Sequence, residues 1–142
     1  MPYPTTPKFS AVGMESVDPT LFSVTTSGRQ QSRKTGNQKW KFTASYPPLT
    51  RTEFAPVWGF LLSQSGRHGI FTIVLPELST TSGTATGTVT TSSSPVGDSS
   101  VTVAGLTGDL KAGDFIKFSG HDKVYALTAD RSGNGSMAIA PA

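Results

Sequence analysis

The sequence predicts a mainly β protein, a small β-sandwich or barrel with one α-helix at about 50–65 and a second small β-element at the C-terminus. Three observations carry this. Ser, Thr and Gly together make up 53 of the 142 residues, and Thr suits strands while Gly and Ser suit turns. Charged residues are only 15% of the chain, against about 25% in an ordinary globular domain. The apolar runs are short, and glycine-containing turn signals separate them.

The stretch 1–18 carries prolines at 2, 4 and 7 and has weak patterning, so it reads as an N-terminal arm. Leu21 to Thr26 is a short strand closed by Ser27-Gly28, and Arg29 to Asn37 reads as a polar, basic loop with a turn signal at Gly36-Asn37. The clearest strand is Gln38 to Tyr46. There Trp40, Phe42, Ala44 and Tyr46 alternate with Lys39, Lys41, Thr43 and Ser45, the period of a half-buried antiparallel strand.

Pro47-Pro48 ends that strand, and a helix follows. Thr50 is its N-cap with Glu53 three residues on, a capping box. Phe54, Val57, Trp58, Leu61 and Leu62 recur at helical spacing and form the expected buried face, with Gly66 as the left-handed stop. Ile70 to Leu75 is apolar at nearly every position and reads as a strand covered on both sides. These elements make 19–78 a β–α–β half with an aromatic core.

From 79 to 100 the chain is Ser/Thr/Gly-rich with a single acid, Asp98, the composition of a link or insertion; Gly83 to Thr91 also alternates enough for an extended strand. Residues 101–142 then read as a small β-module with strands at Val101–Ala104, Phe115–Phe118, Lys123–Thr128 and Met137–Ala140.

Several function classes are excluded. The chain has no cysteine, which removes disulfide scaffolds, thiolate metal sites and cysteine nucleophiles. The longest apolar run, Ile70–Leu75, is far short of the roughly 18 residues of a membrane span, so no membrane insertion is expected. The amino terminus has no signal-peptide core. No phosphate-binding glycine loop or Gly-x-Ser-x-Gly elbow occurs.

The remaining motifs are weak. Asp130-Arg-Ser132-Gly-Asn134-Gly135 resembles the opening of a calcium loop, but the twelfth position is Pro141, so it reads as a polar hairpin turn. Ser119-Gly-His121-Asp122 has the residue types of a hydrolytic triad, but sequence neighbours seldom face one another as a triad must. His68 and His121 read as solvated turn residues, and Gly108-Asp109 and Gly113-Asp114 as turns. No catalytic, metal-binding or cofactor-binding residue is assigned, and no enzymatic activity is expected.

Charge is distributed unevenly. Residues 1–75 hold eight Lys/Arg against three acids, and residues 76–142 hold four against six. Arg29, Arg33, Lys34, Lys39 and Lys41 form a candidate basic subunit-interface patch. Nucleic-acid binding would use the same cations with stacking rings. It is disfavoured, because Lys39 and Lys41 point away from Trp40 and Phe42.

Ser27-Gly-Arg29-Gln30, Gln38-Lys-Trp40-Lys-Phe42, Tyr46-Pro-Pro48-Leu49-Thr50, Phe60-Leu61 and Phe71-Thr-Ile-Val-Leu-Pro76 together resemble a class of tailed-bacteriophage tail structural proteins. Ala112-Gly113-Asp114-Phe115, Lys123-Val124-Tyr125 and the stretch from Asp130 to Ala140 are similar to the C-terminal β-module of that class. The resemblance covers roughly residues 20–142. It implies a distal-tail or baseplate-hub component, built as a homo-oligomeric ring in the virion tail after synthesis in the host cytoplasm. Other tail and baseplate proteins would be its partners, with no cofactor. The alternatives are a carbohydrate- or receptor-binding module at the tail tip, or a head–tail connector or capsid-associated protein. Trp40 and Trp58 are both expected to be internal, which counts against carbohydrate recognition.

Overall fold

A computed structural model of the chain describes residues 2–36 and 38–141. Of the expected Gly36-Asn37 turn, Asn37 lies outside the described residues. The chain divides into two compact units, Met1–Val74 and Leu75–Ala142.

Unit 1 contains strands β1 (Ala11–Val17), β2 (Thr20–Val24), β3 (Gln30–Lys34) and β4 (Lys39–Ser45), then helix α1 (Arg51–Ser63). β1 pairs antiparallel with β4, from Ala11 opposite Ser45 to Val17 opposite Lys39. β2 pairs with β3, from Thr20 opposite Lys34 to Val24 opposite Gln30. Residues 11–45 therefore form one long hairpin, interrupted at Asp18-Pro19. Proline has no amide to give the ladder. Instead the Thr35 amide and hydroxyl both donate to the Pro19 carbonyl, at 2.9 and 3.1 Å. Gly28, with φ +80°, closes the far turn.

Two expectations are corrected here. The lead-in to Asp18 contains β1, and the basic stretch expected as a loop contains β3. Gln-Gln-Ser-Arg-Lys has no apolar alternation because every residue of β3 is exposed. Pairing with β2 and the Gly28 turn make it a strand, and burial does not.

The core of unit 1 is aromatic. Tyr3 packs on Phe9, Phe60 and Phe71, with ring centroids 5.9, 5.2 and 5.8 Å away. Phe9 packs on Tyr46 at 4.9 Å, and Phe60 meets Phe71 edge-on at 5.4 Å. At the helix start, the Glu53 carboxylate accepts from the Thr50 amide at 2.9 Å and its hydroxyl at 2.7 Å. The C-cap is Gln64, and the left-handed position directly after it is taken by Ser65 (φ +51°), with Gly66 (φ +71°) next, so the stop falls one residue before the expected glycine.

The buried helix face differs from the expected one. Val57, Phe60 and Gln64 are buried, whereas Phe54, Trp58, Leu61 and Leu62 are exposed. The helix is apolar nearly all round, so periodicity could not choose a face; the aromatic cluster does. Trp58, at 53% exposure, is not internal, and Trp40 is only half-buried. Ile70–Leu75 is not a covered strand either. Its ladder is a single bridge from Thr72 to Pro2, and Ile70 is 92% exposed.

Unit 2 contains β5 (Thr90–Thr91), β6 (Ser100–Ala104), β7 (Asp109–Leu110), β8 (Phe115–Lys117), β9 (Val124–Leu127), β10 (Arg131–Ser132) and β11 (Gly135–Ala140). A curled antiparallel sheet runs in the order β5-β6-β11-β9-β8, and β7 pairs with β10 beside it. Val101, Val103, Leu106, Leu110, Leu127, Met137 and Ile139 are its core. The four strands expected after residue 100 are all present, and the protein is mainly β with one helix.

The hydroxyl-rich stretch 79–100 belongs to unit 2. Thr86 and Thr107 exchange backbone hydrogen bonds of 2.8 and 3.2 Å, and the Ser92 amide donates to Thr102. A Cβ on Gly83 would collide with the Asp109 carbonyl, and one on Gly108 with that of Thr84. The linker-like composition is thus a requirement for close backbone approach.

Candidate functional site

Among the motifs singled out in the sequence, the polar ones in unit 2 serve the fold. Asp130 accepts from the Ala112 amide at 2.9 Å and from Lys111 Nζ at 3.0 Å. The side-chain carbonyl of Asn134 accepts from the Leu106 amide at 3.1 Å. Two of the calcium-loop oxygen residues, Asp130 and Asn134, are therefore engaged by protein donors, and Ser132 lies in β10. Asp122 pairs with Lys117 at 2.7 Å, and His121 Nδ1 accepts from the Lys123 amide at 3.2 Å. Asp109 lies in β7.

Asp114 was legible only as a turn residue, and it is more than that. At 4% exposure its carboxylate accepts from the Ser82 amide at 2.8 Å and the Lys111 amide at 2.9 Å. Burial pushes its pKa up, but backbone hydrogen bonds from Ser82, Lys111 and Gly83 and the Ser82 hydroxyl outweigh that and hold it below the ordinary carboxylate value. It ties the start of the hydroxyl-rich stretch to the β7–β8 turn. Among the described residues no group of three or more His, Asp or Glu is arranged to hold a metal ion. Among the described residues, no helix is long and apolar enough to cross a membrane.

One surface with no structural explanation of its own is the β2–β3 hairpin. All ten of its residues are exposed. Phe22, 62% exposed, and Val24 lie on one face with Gln30, Ser32 and Lys34. Leu21 lies on the other with Ser23, Gln31 and Arg33. An isolated two-stranded ribbon is marginal in water, and apolar side chains on both faces suit a protein neighbour.

The five basic residues lie along this long hairpin but do not share one face. Arg29 adjoins the turn, Arg33 and Lys34 sit on opposite faces of β3, and Lys39 and Lys41 share one face of β4. Lys34 pairs with Asp18 at 2.9 Å and Lys41 with Glu15 at 3.3 Å. The register places Trp40 and Phe42 on the face away from Lys39 and Lys41, as the alternation predicted.

Reasoning from sequence missed β3 and the exposure of Leu21, Phe22 and Val24. The available signal was the left-handed Gly28 between two stretches of equal length.

No known protein-family profile matches the chain. Among curated proteins, the chain is similar to the distal tail protein pb9 of Escherichia phage T5, with 32% identity over 135 residues. The match takes in 89% of this chain and 66% of the relative, so the chain spans just under two thirds of that protein's length. Over most of its length, this chain is thus similar to a bacteriophage distal tail protein.

Proposed function

We propose that the chain is a non-catalytic structural subunit at the distal end of a phage tail, assembled as a homo-oligomeric ring and joined to other tail and baseplate proteins. The exposed β2–β3 hairpin carries this reading, because a ribbon with apolar side chains on both faces needs a neighbour. Charge supports copy-to-copy contact: unit 1 is net +5 and unit 2 net −2. Unlike surfaces that meet head to tail close into rings when the rotation permits. The basic residues Arg29 and Arg33 flank the apolar ones and would meet acidic groups of a neighbour, while Lys34 pairs with Asp18.

The test is the oligomeric state of the full chain by light scattering and the position of its density in electron micrographs of intact particles. A ring in solution or at the tail end supports the reading. A strict monomer that is absent from particles defeats it.

A further inference from the structure

A cleft of about 360 Å³ in unit 2 is lined by the loop through Ser94 and Asp98 and by Phe118, His121, Lys123 and Tyr125, over the core residues Val101 and Ile139. This is within the range of small-ligand sites. Its wall is a ring cluster. Phe118 lies 5.9 Å from His121 and 5.3 Å from Tyr125, and His121 lies 5.6 Å from Tyr125. Lys123 Nζ sits 4.9 Å over the Tyr125 ring.

The hydrogen bonds there set donors and acceptors. His121 Nδ1 accepts from the Lys123 amide. In the neutral ring that leaves the proton on Nε2, which lies 3.4 Å from the Tyr125 hydroxyl. The phenol then accepts from histidine and keeps its own proton for a third group. Across the cleft, Ser94 Oγ donates to Asp98 Oδ2 at 2.6 Å, fixing the carboxylate on the lining.

We propose that this cleft is a saccharide-binding site in which the apolar face of a neutral sugar packs on one ring of the mutually tilted Phe118–His121–Tyr125 cluster, with sugar hydroxyls met by Asp98, the Tyr125 hydroxyl and Lys123. A pyranose has an apolar C–H face that packs on aromatic rings. It also has a rim of hydroxyls, each both donor and acceptor, which suits a carboxylate and an ammonium on the same lining. The stacking rings and the lysine would also fit a nucleic-acid base and phosphate. Charge decides against that: unit 2 is net −2 and Asp98 faces the ligand, whereas binding of a polyanion rests on cations. The inference concerns unit 2 alone and does not rest on the tail-ring assignment.

The test is an amide-shift NMR titration of the full chain with methyl glucoside, methyl galactoside, methyl mannoside, N-acetylglucosamine and, separately, an oligothymidylate. At least one sugar is expected to shift the amides of Ser92–Asp98 and Phe118–Tyr125, saturating with a Kd of about 1–10 mM. Asp98→Ala and His121→Ala alter exposed residues, and Tyr125→Phe keeps the ring; each is expected to weaken binding about tenfold. The proposal is overturned if no sugar shifts these amides, if the shifts fall elsewhere, if the oligothymidylate binds and the sugars do not, or if all three variants bind like the parent.

Discussion

The Tyr3 hydroxyl lies 2.9 Å from the Tyr46 hydroxyl, so the amino-terminal segment is bonded to the residue that follows β4, 43 positions away. Tyr3 is also the hub of the aromatic cluster that seats the helix through Phe60. Tyr3→Phe should lose about 1 kcal/mol, the net worth of one hydrogen bond. Tyr3→Ala should lose about 2–3 kcal/mol through lost packing. Urea unfolding of the two variants separates the hydroxyl from the ring.

Burial first, then the bond to Tyr3, pushes the Tyr46 pKa well above that of an ordinary phenol. In the unfolded chain it ionises at about 10. Between those values the folded state holds the proton and the unfolded state does not, so stability falls as pH rises. Unit 1 should therefore weaken progressively above about pH 10. Tyr46→Phe should flatten that slope when thermal unfolding is followed against pH.

Asp114 works in the opposite sense. Its folded pKa is depressed, so its contribution is present above the unfolded value of about 3.9 and is lost as pH falls through the folded one. Asp114→Ala leaves the Ser82 and Lys111 amides without their acceptor and should cost about 1–3 kcal/mol at neutral pH. Asp114→Asn should reduce the acid sensitivity of unit 2, to which Asp122 and Asp130 also contribute, read from amide hydrogen exchange of unit 2 between neutral and acid pH.

Gly108 has φ +83° and its α-carbon faces the Thr84 carbonyl. Gly108→Ala should destabilise unit 2 by about 1–3 kcal/mol, the range for a strained left-handed residue. Gly97 also has positive φ but has open space around it. Gly97→Ala should therefore be the milder of the two in parallel denaturation curves, with the difference reporting the close approach.

Phe22 is exposed on the hairpin. Phe22→Lys should leave the stability of the monomer within about 0.5 kcal/mol while abolishing self-assembly of the full chain. Sedimentation velocity and calorimetry on the same sample give both quantities. An unchanged oligomer would show that the hairpin is not the contact.

The sequence by itself determined the class of the protein and its local punctuation. The mainly β fold, the Thr50–Glu53 cap, the helix stop within one residue of Gly66, the alternation of Gln38–Tyr46 and the four strands after residue 100 follow from interactions within a few residues of one another. The resemblance to phage tail proteins was legible on the same short motifs. Tertiary structure decided the rest. It chose the buried face of a helix that is apolar nearly all round, by placing Tyr3 and Phe71 beside Phe60. Pairing with distant strands made β1 and β3 out of stretches that carry little pattern of their own. The same long-range packing turned a linker-like run of Gly and Thr into a segment pressed against residues 105–109. It also gathered Asp98, His121 and Tyr125 around one cleft. Apart from the Gly28 turn before β3, none of these has a local signal, because each depends on which distant backbone arrives alongside.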